Sequence, residues 1–93
     1  MLTGWAGFLG SFVAQKLKDR GCKDVFIPRE QDYDLTKPSS VEAAFKASDP
    51  DIVIHLAARV GGIGANRNNP GKFFYDNLIM GVQLMEQARL DGV

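Results

Sequence analysis

The sequence predicts an α/β fold: the first half of a doubly wound parallel sheet, with three strands in the spatial order 3-2-1 joined by helices and truncated before the sheet is complete. Three observations predict it. Short apolar runs alternate with stretches of helical periodicity, the pattern of strand-helix-strand units. Gly4, Gly7 and Gly10, in "GWAGFLG", stand between the first apolar run and the first helical stretch. The run "DIVIHLAA", Asp51 to Ala58, is almost unbroken in apolar character, as a strand covered by helices on both faces requires. Right-handed crossovers then order the strands 3-2-1, which makes the first strand an edge.

Each element has its own justification. The first strand is short, Met1 to Thr3. A helix is expected from Phe8 to Arg20, with Phe8, Phe12, Val13 and Leu17 on one face and Gly21 placed to end it. "DVFIP", Asp24 to Pro28, reads as the second strand. A polar stretch, "REQDYDLTKPSS", leads to a short helix from Ser40 to Ala47, with Ser39 as N-cap and Glu42 completing a capping box. Pro50 closes that segment, and "DIVIHLAA" is the third strand. The loop "RVGGIGANRNNPGK" precedes a long helix from Pro70 to Leu90, whose buried stripe is expected to be Phe74, Leu78, Val82, Met85 and Ala88.

Composition bounds the function. Ninety-three residues make one domain at most, and eleven basic against eleven acidic side chains leave no net field to capture nucleic acid or an acidic membrane. Any anion has to be bound locally. The single Cys22 excludes an internal disulfide framework and suits a reducing compartment. There is no leader pattern, and no apolar run approaches the ~20 residues that span a bilayer, so a soluble cytoplasmic protein is expected.

The glycine turn carries the chemistry. A glycine-rich turn between strand and helix lets backbone N–H groups approach a pyrophosphate, and the helix N-terminus adds partial positive charge. The spacing G-x-x-G-x-x-G departs from the tightest dinucleotide fingerprint, and Trp5 puts a bulky indole inside the turn. Cofactor choice is made about 20 residues further on, where an acid holds a ribose 2′-hydroxyl or an arginine meets a 2′-phosphate. Here "FIPRE" presents Arg29, which favours NADP, with Glu30 beside it keeping NAD open. Asp34 and Leu35 stand where a short side chain and a backbone amide could hold adenine. The one histidine, His55, lies on the buried third strand, a setting that suits a hydrogen-bonded structural role.

These pieces together resemble the extended short-chain dehydrogenase/reductases, the Rossmann-like family of NAD-dependent epimerases and dehydratases. "TGWAGFLGS" is similar to their T-G-G-A-G-F-[IL]-G-S turn, departing from it at Trp5, and "DYDL", "HLAA" and "NPGKFFYDNLIMG" match later segments, so the resemblance covers Met1 to Val93. The loop "RVGGIGAN", Arg59 to Asn66, is more selective, being similar to that of the branch that epimerises and then reduces GDP-4-keto-6-deoxymannose. The resemblance implies that residues 1–93 are part of an NADP-binding domain. Gly4, Gly7, Phe8, Leu9 and Gly10 would then lie around the pyrophosphate, Arg29 on the 2′-phosphate, and Asp34 with Leu35 on the adenine. Leu56, Ala57 and Ala58 would flank the ribose and bridging phosphates, while Val60, Gly61, Gly62 and Ile63 would approach the nicotinamide and sugar. It further implies a nucleotide-sugar substrate and a homodimeric parent, with no metal.

Catalysis in this family resembles general acid chemistry by a tyrosine tuned by a lysine four residues on. Tyr33 and Lys37 have that spacing, but Pro38 disfavours a helix at Lys37, and the pair reads as a chance match. The resemblance puts the catalytic residues beyond Val93, so the chain alone is expected to be inactive. With the crevice placed between the first strand and one beyond Val93, half of its wall would be missing, and binding of roughly millimolar strength would follow. Two alternatives stay open: an NAD-using epimerase or dehydratase, and a catalytically silent dinucleotide sensor.

Overall fold

A computed structural model covers Met1–Val93. In chain order its elements are β1 (Leu2–Thr3), α1 (Phe8–Asp19), α2 (Pro38–Ser48), β2 (Ile54–His55), α3 (Ile63–Asn68) and α4 (Pro70–Asp91). The two strands are parallel, with Leu2 opposite Ile54 and Thr3 opposite His55. The α/β character agrees with the sequence reading. The three-stranded sheet in the order 3-2-1 does not form, because the third expected strand pairs directly with the first.

The backbone groups of Met1 to Thr3 explain this order. On one edge the Met1 and Thr3 carbonyls accept bonds from the N–H groups of Ile54, at 2.9 Å, and Leu56, at 3.2 Å. On the other edge the Leu2 N–H donates to the Phe26 carbonyl at 2.8 Å. Leu2 and Thr3 are completely buried, so a bare edge would leave polar groups without partners. Residues 24–28 and β2 therefore flank β1, one on each edge. "DVFIP" nonetheless falls short of being a strand. In a parallel ladder the bond from Leu2 to Phe26 is answered by the N–H of residue 28 to the Leu2 carbonyl, and Pro28 has no N–H.

Helices cover both faces. Met1, Val53 and Ala57 pack on a core of Leu35, Val41 and Phe45 with Met80 and Leu84, which places α2 and α4 on one face. Side chains alternate along a strand, so Leu2, Ile52 and Ile54 point the other way, where they border a cavity with Leu17 of α1. Gln83 of α4 donates to the Leu35 carbonyl at 3.0 Å and ties the preceding turn to this core.

Several local expectations are corrected. α2 begins at Pro38, with Lys37 as its extended N-cap and no side-chain cap bond. Proline at the first helical position moves the start forward, so Ser39 falls inside the first turn and the capping box with Glu42 does not form. The loop after β2 contains the short α3, which Pro70 separates from α4. On α1 the buried residue is Gly10, while Phe8 and Phe12 are exposed, because the helix approaches the turn after β1 through its glycine. On α4 the face toward α2 carries Asp76, Met80 and Leu84, with Ala88 beside them, and Phe74, Leu78, Val82 and Met85 are exposed. No helix is long and apolar enough to cross a membrane.

Candidate functional site

A cleft of about 710 Å³ opens at the carboxyl ends of the strands, within the size range of small-molecule sites. In open α/β sheets the ligand crevice lies where the chain leaves adjacent strands in opposite directions. That point falls between β1 and β2, inside this chain. The expectation that half of the wall lies beyond Val93 is therefore corrected, for the same reason as the strand order. The glycine turn forms one wall, Leu56 to Val60 another, and Pro28 to Glu30 with Tyr33 to Leu35 a third. Of the residues expected around the cofactor, Gly4, Gly7, Phe8, Leu9, Gly10, Arg29, Asp34, Leu35, Leu56, Ala57, Ala58 and Val60 border it. Gly61, Gly62 and Ile63 do not; they lead into α3, and Ile63 points to solvent.

The glycines differ in what requires them. Gly4 has φ +75°, and a Cβ there would stand 2.4 Å from the Ala57 nitrogen and the Leu56 carbonyl carbon. At Gly10 a Cβ would stand 2.0 Å from the Gly4 carbonyl oxygen. Both are dictated by the chain's own packing. Gly7 is the N-cap of α1 with φ −77°, and a Cβ there would meet only the Gly4 oxygen, at an ordinary 3.4 Å. Neither its backbone nor its packing demands glycine, and what it leaves clear is space bordering the cleft. The N–H groups of Phe8, Leu9 and Gly10 precede the first bonds of the helix and have no partner in the chain. Trp5 also borders the cleft and needs no positive φ, so the turn accommodates the indole without backbone strain.

Charge in the cleft is almost entirely paired. Asp34 Oδ1 accepts from the Thr36 N–H at 3.1 Å and the Thr36 hydroxyl at 2.7 Å, and its Oδ2 lies 3.7 Å from Lys37 Nζ. Those bonds from Thr36 hold the Asp34 carboxyl below the usual carboxylate range. Arg59 lies between Glu30 and Asp76, each at 3.1 Å. Arg29 has no carboxylate partner and is exposed at the cleft. Tyr33 meets Phe26 edge-on with ring centroids 5.8 Å apart, while Lys37 faces Asp34, so these two do not form a helical tyrosine-lysine pair. The sequence points to Asn77 as a residue able to donate or accept near the site from its helix, but not to the side chains of Arg59 and Asp76. The Asn77 side chain accepts from the Arg59 N–H at 2.7 Å and donates to the Arg59 carbonyl at 3.0 Å, clamping the start of the loop. The one local signal for them is "RVGG" directly after the third apolar run.

Behind the cleft, Thr3 Oγ1 lies 2.7 Å from His55 Nδ1, and the N–H groups of Leu56 and Ala57 each donate to it at 3.2 Å. Two amides use both hydroxyl lone pairs, so the Thr3 proton goes to Nδ1 and His55 carries its own proton on Nε2. Burial lowers the His55 pKa below its usual 6.5. A histidine neutral when folded and free to charge when unfolded makes stability full above pH 6.5 and progressively lost as the pH falls below it toward the folded pKa. His55→Asn keeps an acceptor for Thr3 without titrating. Denaturant melts at neutral and mildly acidic pH are expected to show a smaller acid loss for this variant than for the parent; equal losses would contradict the assignment.

Free helix amides at a glycine turn, a cleft at the sheet's switch point and one unpaired arginine at its mouth suit a pyrophosphate and a further phosphate, and define a dinucleotide-binding α/β protein. The chain belongs to the NAD dependent epimerase/dehydratase family, whose model matches residues 1–93. It is 37% identical over 92 residues to GDP-L-fucose synthase from Sinorhizobium fredii, covering 99% of this chain and 29% of that protein. To GDP-L-colitose synthase from Yersinia pseudotuberculosis it is 34% identical, covering 100% of the chain and 30% of that protein. Among solved structures, a GDP-mannoheptose C4 reductase from Campylobacter jejuni with NADP bound superposes with a TM-score of 0.91 at 26% identity, over 99% of this chain and 29% of that one. UDP-glucose 4-epimerase from Thermus thermophilus in complex with NAD gives 0.78 at 29% identity, over 99% and 34%. The chain thus spans about a third or less of the length of these proteins.

Proposed function

We propose that residues 1–93 are the cofactor-binding portion of an NADP-dependent enzyme that converts GDP-4-keto-6-deoxymannose to GDP-L-fucose. The observation that carries the cofactor is Arg29: it is the one charged side chain of the cleft that forms no salt bridge, on the wall that follows residues 24–28. The likeness to GDP-L-fucose synthase and the loop "RVGGIGAN" support the substrate. When bound, NADPH would supply hydride to a sugar carbonyl. The chain's own residues bind and orient. The α1 amides and Gly7 receive the pyrophosphate, Leu56 to Ala58 form the floor, and Arg29 holds the 2′-phosphate. None of them is assigned a proton-transfer role. We place the protein in the cytoplasm, in keeping with the exposed free thiol of Cys22.

Losing a bidentate guanidinium-phosphate contact costs about 1.5–3 kcal/mol, so Arg29→Ala is expected to weaken NADP about 10- to 100-fold. NAD, which lacks the phosphate, should change little. Titration of the intact protein with each dinucleotide checks the cofactor, and incubation with GDP-4-keto-6-deoxymannose and NADPH checks the reaction. Absence of GDP-L-fucose, or equal weakening of both dinucleotides, would sink the proposal. A second reading, an NAD-using epimerase or dehydratase, is favoured by Glu30 beside Arg29 and by the likeness to an NAD-bound epimerase. Tighter binding of NAD than NADP would establish it.

A further inference from the structure

Four charged side chains form a continuous line that runs from α4 to the cleft, where Arg59 and Glu30 line its walls. Lys72 Nζ lies 2.9 Å from Asp76 Oδ2, Arg59 Nε lies 3.1 Å from the same oxygen, and Arg59 Nη2 lies 3.1 Å from Glu30 Oε1. The contributors are α4, the loop after β2, and the turn after residues 24–28. Asp76 is almost completely buried. The Arg59 Nε, though close to it, is not aligned for a hydrogen bond, so the attraction between the two is ionic. Arg59 is held twice over, its backbone by the Asn77 amide and its side chain by Asp76. Its remaining reach is directed at Glu30, on the opposite wall.

Glu30 is the neighbour of Arg29, and the two issue opposite instructions. An arginine at this turn meets a 2′-phosphate; a carboxylate accepts a bond from a free 2′-hydroxyl and repels the phosphate. Glu30 is largely exposed, and Arg59 is the one side chain that pairs with its carboxylate. This pairing both neutralises the carboxylate and draws it away, leaving Arg29 unopposed. We infer that Arg59 is a positioning residue for cofactor choice, setting the preference for NADP by sequestering Glu30. The inference rests on the NADP reading above.

The test is equilibrium binding of NADP and of NAD to the intact protein, followed by the fluorescence of Trp5, the one tryptophan and a residue of the cleft. R59M is expected to weaken NADP about tenfold while NAD is unchanged or tighter. E30Q in the R59M background should restore NADP binding, and R59K, which keeps a cation beside Glu30, should retain the preference. E30D works at an exposed position that cannot unfold the protein. Its carboxylate is one methylene too short to reach Arg59, so it should weaken NADP several-fold where E30Q does not. Equal weakening of both dinucleotides by R59M without rescue by E30Q would reduce Arg59 to a brace for the loop and overturn the inference. So would a preference unaltered by both R59M and E30D. A parent protein that prefers NAD overturns the cofactor reading itself, whereas one that prefers NADP regardless of Arg59 overturns the inference alone.

Discussion

Gly10→Ala is expected to destabilise the protein by about 3 kcal/mol or more, a large share of the 5–15 kcal/mol that holds a typical domain together. The added methyl would stand 2.0 Å from the Gly4 oxygen and 2.7 Å from the Gly4 carbonyl carbon and the Trp5 Cα. All three are backbone atoms with no side chain to swing aside. Gly4→Ala should be comparably severe. It combines φ +75° with a methyl 2.4 Å from backbone atoms of Leu56 and Ala57, and so forces β1's turn away from the end of β2. Gly7→Ala is the informative contrast. It should melt within a few degrees of the parent yet lose about tenfold or more in dinucleotide affinity, because its methyl enters space the chain leaves clear. Thermal melts by circular dichroism and titration with NADP separate the three. A parent-like melt for Gly10→Ala, or undiminished NADP affinity for Gly7→Ala, would show the division of labour to be wrong.

Thr3→Val is expected to cost about 2–3 kcal/mol although valine matches threonine in shape. Thr3 is completely buried, and its hydroxyl serves His55 Nδ1 and the amides of Leu56 and Ala57 together. Leu56 N–H keeps the Thr3 carbonyl as an acceptor, but Ala57 N–H and His55 Nδ1 lose their only partners. Thr3→Ser should recover most of the loss, since it restores the oxygen and leaves only a missing methyl. Ala57 and Ala58 are also cleft wall, so NADP binding should weaken in parallel with stability in the valine variant. Chemical denaturation of the three proteins at neutral pH provides the measurement. Indistinguishable midpoints for valine and threonine would mean that the hydroxyl is not the anchor of the strand end.

The candidate site was more legible in the sequence than the sheet that holds it. Glycines at spacings of three, small residues at the end of "HLAA" and an arginine after "FIP" are local signals, and the residues they single out border one cleft. Pro28 is an equally local signal against "DVFIP" completing a parallel bridge, since the group it lacks is the one the bridge needs. Helices α1 and α4 lie almost where the sequence expects them because proline and glycine punctuate them, whereas α3 is hidden in a stretch rich in glycine and asparagine.

By itself, the sequence determined the alternation of strand and helix, the turn that clears space at Gly7, and the residue types around the cleft, all of which depend on neighbours a few positions apart. Only the tertiary structure decided which strand lies beside β1 and which face of α4 is buried. The more apolar stripe, Phe74 to Met85, faces outward, and the stripe with a carboxylate faces in. Asp76 can be buried because Arg59, distant in sequence, and Lys72 cancel its charge, and the same arginine reaches Glu30 across the cleft. Such pairings are set by the order of the strands, and that order follows from hydrogen-bonding both edges of a strand that no local pattern can see.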